Sequence, residues 1–363
     1  MKIATLSNAS VGHTRRWVEH FRARGHEVRL WSLEPGPSEL GAIELPNAPV
    51  PGALRYPLAA PGLARALAEF APAVVDAHYV PNYGLLGALT GRRPLVVSAW
   101  GSDLLISGSA DVLRRARSRW VLRRADLVIT DARNLAAAAV RLGAPAERVA
   151  CVPWGVDLTR FRPRGERERG LVLSTRMHEP IYDIERILLA FDRLLARHPQ
   201  ARLVVAGDGS MRPELERLAA RCLPAGRYEF IGLLTPDVMS EWLARAEVMV
   251  SASRSDSTSI SLLEAMASGA VPVVSDIEGN REWIDDGVEG RLFGPGLESL
   301  VAALDVALTD ATWRERAQAR ARKRVVAHGD LTRNMATIEA HFERLAASRG
   351  GRGAGAPSSG ARA

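Results

Sequence analysis

Cysteine is nearly absent from this 363-residue chain: Cys151 and Cys222 are its only two. Neither sits in a metal-ligand spacing and two thiols make no disulfide framework, which excludes a small stapled secreted scaffold and a zinc ribbon. Long apolar runs are missing as well. The longest uncharged stretch, about Ala77 to Gly91, is interrupted by Pro81, Gly84 and Gly87 and falls short of the ~18 residues a membrane-spanning helix needs. The opening Met1-Lys2-Ile3-Ala4-Thr5-Leu6-Ser7 has too short an apolar run for a secretory leader, so the expected location is the cytoplasm. Lysine is the third scarcity, with Lys2 and Lys323 set against 46 arginines. That bias accompanies GC-rich coding, and with no aromatic-interleaved basic stripe it argues for no nucleic-acid partner.

What is present is globular: 47% hydrophobic and 25% charged residues, in a chain long enough for two domains at roughly 150 residues each. Charge divides unevenly. Residues 1–155 carry 19 basic against 12 acidic side chains, and residues 156–363 carry 29 of each, so the whole net +7 lies in the first half. That half is the one expected to face something acidic.

Short apolar runs alternate with helical patterns. Strands are expected at Lys2–Ser7, Glu27–Ser32, Ala73–Asp76, Leu95–Ala99, Leu127–Thr130 and Val149–Val152, with helices over Arg15–Arg24 and near 62–70, 111–125 and 132–142. The pattern restarts with strands at Leu171–Ser174, Arg202–Ala206, Tyr228–Ile231, Val248–Ser251 and Val271–Ser275, and helices near 183–197, 212–221, 237–245 and 261–268. Strands alternating with helices imply parallel sheets covered on both faces. The fold class is therefore α/β, with two doubly wound Rossmann-like domains at 1–155 and 171–346. Between them 156–170 is read as a solvated linker, 297–346 as helical, and 347–363 as a disordered tail rich in Gly, Ala, Ser and Arg.

Two strand-to-helix turns could carry chemistry. Ser7-Asn8-Ala9-Ser10-Val11-Gly12-His13-Thr14 opens a helix whose N-terminal amides could hold phosphate, but it has one glycine and lacks the dinucleotide fingerprint. A plain turn is the equal alternative. Ser251 to Gly269 runs from a strand end through a polar turn into a short helix, with Asp256 and Glu264 flanking free amide donors. Carboxylates accept from sugar or ribose hydroxyls, and amides suit a phosphate. Two plainer readings stand beside this. Ser261-Leu262-Leu263-Glu264 also fits a capping box, and Asp256 also fits a turn.

Asp256, seven intervening residues and Glu264, followed by Ala265-Met266-Ala267-Ser268-Gly269, resemble the E-x7-E signature of glycosyltransferase family 4. Gly12-His13-Thr14, Arg24-Gly25-His26-Glu27-Val28, Pro153-Trp154-Gly155-Val156-Asp157, Val204-Val205-Ala206-Gly207-Asp208-Gly209 and Asp285-Asp286-Gly287 resemble further family segments in the family's order, over residues 1 to about 345. The resemblance implies a GT-B fold, with the two sheets facing across a cleft, and a retaining, nucleotide-sugar-dependent transferase needing no metal or other cofactor. It implies that Glu264 holds the ribose hydroxyls and that Asp256 contacts the transferred sugar. Amides of Thr258, Ser259 and Ile260 would meet sugar and diphosphate, and Arg176 and Gly12 would meet the diphosphate. His78 would stand near the reaction centre, and His13 and Asp103 on the acceptor side. A buried structural histidine is the alternative for His78. The chain departs from the pattern at three places: Asp256 replaces a glutamate, Ile181 replaces a lysine five residues after Arg176 with Arg254 as the nearest substitute, and Trp100 replaces a histidine.

Arg114, Arg115, Arg117, Arg119, Arg123 and Arg124 fall within eleven residues and flank an apolar arc of Val112, Leu113, Ala116 and Trp120. Such a helix suits an anionic membrane surface; the alternative buries the arc in its own domain. The reading is a hexosyltransferase-like enzyme of cell-surface polysaccharide or glycoconjugate synthesis. It would move sugar from a nucleotide-sugar to a glycan, lipid-linked or small-molecule hydroxyl, in the cytoplasm with a peripheral position at the inner face of the membrane. The rivals are a non-catalytic subunit of the same fold and a nucleotide-sugar epimerase or hydrolase.

Overall fold

A computed structural model describes residues 1–46, 49–50, 52 and 54–353. The chain divides into two units: Met1–Val152 with the chain from Met335 onward, and Pro153–Asn334.

The first unit holds strands β1 (Lys2–Leu6), β2 (Glu27–Ser32), β3 (Ile43–Glu44), β4 (Val74–His78), β5 (Leu95–Ser98), β6 (Leu127–Thr130) and β7 (Val149–Cys151). Its helices are α1 (Gly12–Ala23), α2 (Arg55–Phe70), α3 (Leu85–Leu89), α4 (Ser102–Leu105), α5 (Val112–Arg124) and α6 (Arg133–Arg141). The second unit holds β8 (Glu168–Ser174), β9 (Arg202–Ala206), β10 (Tyr228–Gly232), β11 (Ala246–Ser251), β12 (Val271–Ser275) and β13 (Arg291–Phe293). Its helices are α7 (Ile184–Leu195), α8 (Arg212–Cys222), α9 (Pro236–Arg245), α10 (Ile260–Ser268), α11 (Glu278–Arg281), α12 (Leu297–Thr309) and α13 (Ala311–His328), and α14 (Leu331–Gly353) runs on into the first unit.

Each sheet is parallel throughout, in the orders β3-β2-β1-β4-β5-β6-β7 and β10-β9-β8-β11-β12-β13. Successive strand side chains alternate faces, and both faces are buried, which is why the strands read as continuous apolar runs. On β9, Leu203 and Val205 pack with Ile187 and Phe191 of α7, whereas Val204 packs with Leu262 and Met266 of α10 on the other face. The doubly wound order reverses between β1 and β4 in the first sheet and between β8 and β11 in the second. Loops leaving the carboxyl ends of those neighbouring strands diverge there and open a crevice.

Three divisions differ from the sequence reading. The stretch 156–170 is built into the second unit rather than being a solvated linker: Val156 and Phe161 lie in its core, and Arg167 donates to the carbonyls of Ala244, Ala246 and Ser268, closing the ends of α9 and α10. Residues from Met335 on pack with the first unit, not with residues 171–334. Phe342 is fully buried and stacks on Phe21 with centroids 5.2 Å apart, while Glu339 accepts from Arg24 at 3.1 Å and pairs with His26 at 2.7 Å. The helix so anchored continues to Gly353, past the expected start of the tail at 347; residues 354–363 of that tail lie outside the described residues.

Replacing Phe342 by Ala removes the stacked partner of Phe21 and leaves a cavity. The expected cost is about 3–5 kcal/mol in chemical denaturation of the first unit. A loss below about 1 kcal/mol would show that α14 contributes no packing there.

Candidate active site

In the second unit, Arg176 stands just past β8 and the segment 252–259 leaves β11, so both flank the switch point. Arg176 is nine-tenths buried. One Nη donates to Asp256 Oδ2 at 2.7 Å, the other to Ser259 Oγ at 2.6 Å, and the guanidinium lies 4.2 Å from the centre of the Tyr182 ring. A charge-assisted pair, a hydroxyl and an aromatic face thus hold one planar cation in a fixed pose. Asp256 also accepts from the amide of Ser257 at 3.0 Å, which turns its carboxylate toward the arginine.

Ser259 is the N-cap of α10, so Glu264 lies more than a turn into the helix and is not the third residue of a capping box. Glu264 is buried along with Thr258 and Ser259, and Ile260 begins the helix partly buried. Thr258 receives a hydrogen bond from the Trp283 indole at 3.4 Å. Two glycines let other backbone come close. A Cβ on Gly207, whose φ is +117°, would fall 2.4 Å from the Arg176 carbonyl oxygen, and one on Gly279 would fall 2.0 Å from that of Ser257. The structure thus joins Arg176, Asp256 and Ser259 by direct contact, with Thr258 and Ile260 as their chain neighbours and Glu264 buried on α10.

Arg254 does not join them. Its amide donates to the Ile181 carbonyl at 2.8 Å, so it does neighbour the position where a lysine was expected, but its guanidinium turns to Asp183 with contacts of 3.2 and 3.3 Å and stays 64% exposed. Tyr182, Gly207, Gly279 and Trp283 were not singled out as site residues from the sequence. Gly207 lay inside a quoted motif, but Tyr182 is a lone aromatic whose contact with Arg176 only the fold supplies.

In the first unit, His78 ends β4 and is fully buried. Its Nε2 hydrogen-bonds with Asp76 at 2.8 Å and its Nδ1 with Ser7 Oγ at 3.3 Å; Ser7 in turn bonds Thr14 Oγ1 at 2.7 Å, and Ser98 donates to Asp76 at 3.0 Å. This chain ties β1, β4, β5 and the first turn of α1 across the switch point. Both ring nitrogens are thus engaged within the first unit, an arrangement that the structural alternative for His78 also expects. Gly12 is exposed at the start of α1, with nothing within 4 Å of where a Cβ would sit. His13 follows it and meets Trp100 edge-on at 5.6 Å.

Asp103 is also fully buried. Its Oδ1 accepts from the Trp100 amide and its Oδ2 from the Val80 amide, each at 3.0 Å, joining the loop after β4 to the loop after β5. Both of its oxygens are thus engaged by backbone amides. Burial raises its carboxyl to about 6, against the pull of its amide donors. The folded unit then binds this proton more tightly than the unfolded chain, so the group's contribution to stability falls as pH rises from about 4 to about 6 and is level above. In Asp103→Ala two buried amides lose their acceptor, an expected cost of about 1–3 kcal/mol. The melting temperature measured against pH for protein and variant should show the protein's margin shrinking between pH 4 and 6; a margin independent of pH would contradict this placement of Asp103.

The arginine-rich helix α5 packs through Ser118, Val121 and Leu122, and of the apolar arc Trp120 alone packs against that core. Val112 is 71% and Leu113 83% exposed, Ala116 is exposed, and Trp120 is partly buried beneath Arg124, whose guanidinium lies 4.0 Å from the ring centre. Arg114, Arg115, Arg119, Arg123 and Arg124 are exposed and Arg117 is partly buried. Among the described residues no helix is long and apolar enough to cross a membrane.

Two family models match the chain in succession: Glycosyltransferase Family 4 over residues 11–160 and Glycosyl transferases group 1 over residues 159–324. The sulfoquinovosyl transferase SQD2 of Arabidopsis thaliana is 27% identical over 340 residues, covering 83% of this chain and 64% of its own. Across three curated relatives, the chain spans between 24% and 64% of their lengths. Among solved structures, the sucrose-phosphate synthase of Thermosynechococcus elongatus superposes with a TM-score of 0.83 at 19% identity over 96% of this chain and all of that one. Anabaena Alr3699/HepE, solved in complex with UDP-glucose, gives 0.79 at 18% identity over 95% of this chain and all of that one. Both share the fold: two Rossmann-like domains of the GT-B class.

Proposed function

Because this chain belongs to glycosyltransferase family 4, we propose that it is a retaining transferase that binds a nucleotide-sugar through the second unit and an acceptor hydroxyl through the first. The observation that carries this reading is Arg176, a nearly buried guanidinium fixed at the β8–β11 switch point beside the N-terminus of α10. A leaving nucleoside diphosphate gains negative charge as its bond to the sugar breaks, and a preorganised cation and helix amides stabilise that charge without moving. Bound UDP-glucose in Anabaena Alr3699/HepE supports a uridine nucleotide as donor.

In the reaction proposed, the bond between the anomeric carbon and the diphosphate oxygen breaks and the acceptor oxygen bonds to the same face of that carbon. The acceptor proton passes to the departing phosphate, and the products are a glycoside and a nucleoside diphosphate. The chain's residues position and neutralise. The diphosphate replaces Asp256 as counter-charge of Arg176, freeing the Asp256 carboxylate to accept from a sugar hydroxyl. Glu264 accepts from the ribose. The acceptor class proposed is a glycan, a lipid-linked sugar or a small-molecule hydroxyl of surface polysaccharide or glycoconjugate synthesis.

UDP at a hundred times its dissociation constant should stabilise the protein by about 2.7 kcal/mol, read as a rise in melting temperature. Arg176→Ala and Glu264→Ala should each abolish that rise and the transfer of sugar. No rise with UDP, GDP, ADP or TDP, or a rise untouched by both substitutions, would overturn the donor site.

Exposed Val112 and Leu113 amid the arginines of α5 support a peripheral docking on an anionic bilayer, with each basic residue contributing about 1 kcal/mol near the surface. Leu113→Glu should weaken sedimentation with phosphatidylglycerol vesicles by about tenfold or more. Equal binding of protein and variant, or equal binding to phosphatidylcholine vesicles, would contradict it.

A further inference from the structure

Three rings from three different segments gather at the carboxyl edge of the first sheet. Trp100 follows β5, Tyr79 follows β4 and His13 opens α1. His13 and Tyr79 meet the Trp100 ring edge-on at 5.6 and 6.4 Å, all three are partly buried, and beneath them the buried His78 meets Trp100 at 5.5 Å. These three rings keep part of their surface in solvent, unlike the buried aromatics Trp31, Tyr56, Phe70 and Tyr83 in the core of the same unit.

The rings are also held with unusual care. Tyr79 has a φ of +67°, a left-handed conformation that a bulky residue adopts only when its surroundings impose it. Its phenol hydrogen-bonds with Ser107 Oγ at 3.3 Å, and Ser107 donates to the Ser102 carbonyl at 3.0 Å. The buried Asp103 carboxylate grips the amide of Trp100 itself and the amide of Val80, the residue after Tyr79. One buried charge thus fixes both loops that carry the larger rings.

A ring face carries partial negative charge and a large apolar area, so it attracts the slightly positive C–H face of a saturated ring. The C–H bonds on one face of a pyranose or cyclitol present such a surface, whereas an open-chain polyol of similar polarity does not. Resting on the transferase reading above, we infer that Trp100, with Tyr79 and His13 standing at 88° and 80° to its ring, forms an aromatic platform and its walls for the C–H face of the acceptor's own sugar or cyclitol ring, with Asp103 as the positioning residue. The acceptor class is thereby a ring-bearing carbohydrate rather than an aliphatic alcohol.

Saturation-transfer NMR with methyl α-glucopyranoside, myo-inositol and open-chain glucitol tests this on the full chain, with the UDP-induced rise in melting temperature recorded in parallel. At least one ring compound should receive saturation on the C–H protons of one face, and glucitol should receive none. Trp100→Ala should cut the ring-compound signal by about tenfold, equal to 1.4 kcal/mol, while Trp100→Phe, which keeps an aromatic face, restores most of it. The UDP response should be the same in protein and variants. A glucitol signal equal to the ring signal, no signal from either ring compound, or a signal insensitive to Trp100→Ala while the UDP response persists, would overturn the platform alone. Loss of the UDP response in the unsubstituted protein would instead overturn the donor site on which the platform rests.

Discussion

A parallel strand can be joined to its neighbour only by a chain that crosses back over the sheet, so every strand of a parallel sheet ends at the same edge. Where the winding reverses, the two loops leaving adjacent strands go opposite ways and leave room between them. In this protein both sheets reverse next to their first strand, at β1–β4 and β8–β11, and the polar residues that distinguish each unit stand on those strands' ends. The Ser7–His78 contact bridges one switch point and the Arg176–Asp256 pair bridges the other.

The two switch points are furnished differently. In the second unit a cation is fixed by an ion pair, a hydroxyl and an aromatic face, while Gly207 and Gly279 allow neighbouring backbone to close in. In the first unit the polar groups are consumed internally. Asp76, His78, Ser7 and Thr14 satisfy one another, Asp103 satisfies two amides, and the partly exposed rings of Trp100, Tyr79 and His13 stand above them. A charged site in one unit and a ring-lined site in the other suit a charged donor and a carbohydrate acceptor.

Much of this was legible in the sequence because the determinants are local. Parallel strands read as apolar runs bounded by turns, and the segment from Asp256 to Glu264 is continuous in the chain. What was not legible depends on distant contacts. The short β3 and β13 have too few residues to show a period. The end of the second unit at Asn334 is set by Phe342 finding Phe21, more than three hundred residues away. The arc on α5 has helical spacing, yet the face that packs is the one through Val121 and Leu122. For His78, at the end of β4, and Asp103, in α4, the residue type was legible and the complete burial was not, because it comes from partners on other segments.

The measurement that bears most directly on the donor site is a crystal structure of the protein with UDP-glucose. The expected result is the diphosphate on Arg176 beside the start of α10, with Asp256 turned from the arginine to a sugar hydroxyl and Glu264 on the ribose. A nucleotide bound elsewhere, or one bound there with the Arg176–Asp256 pair intact, would contradict it.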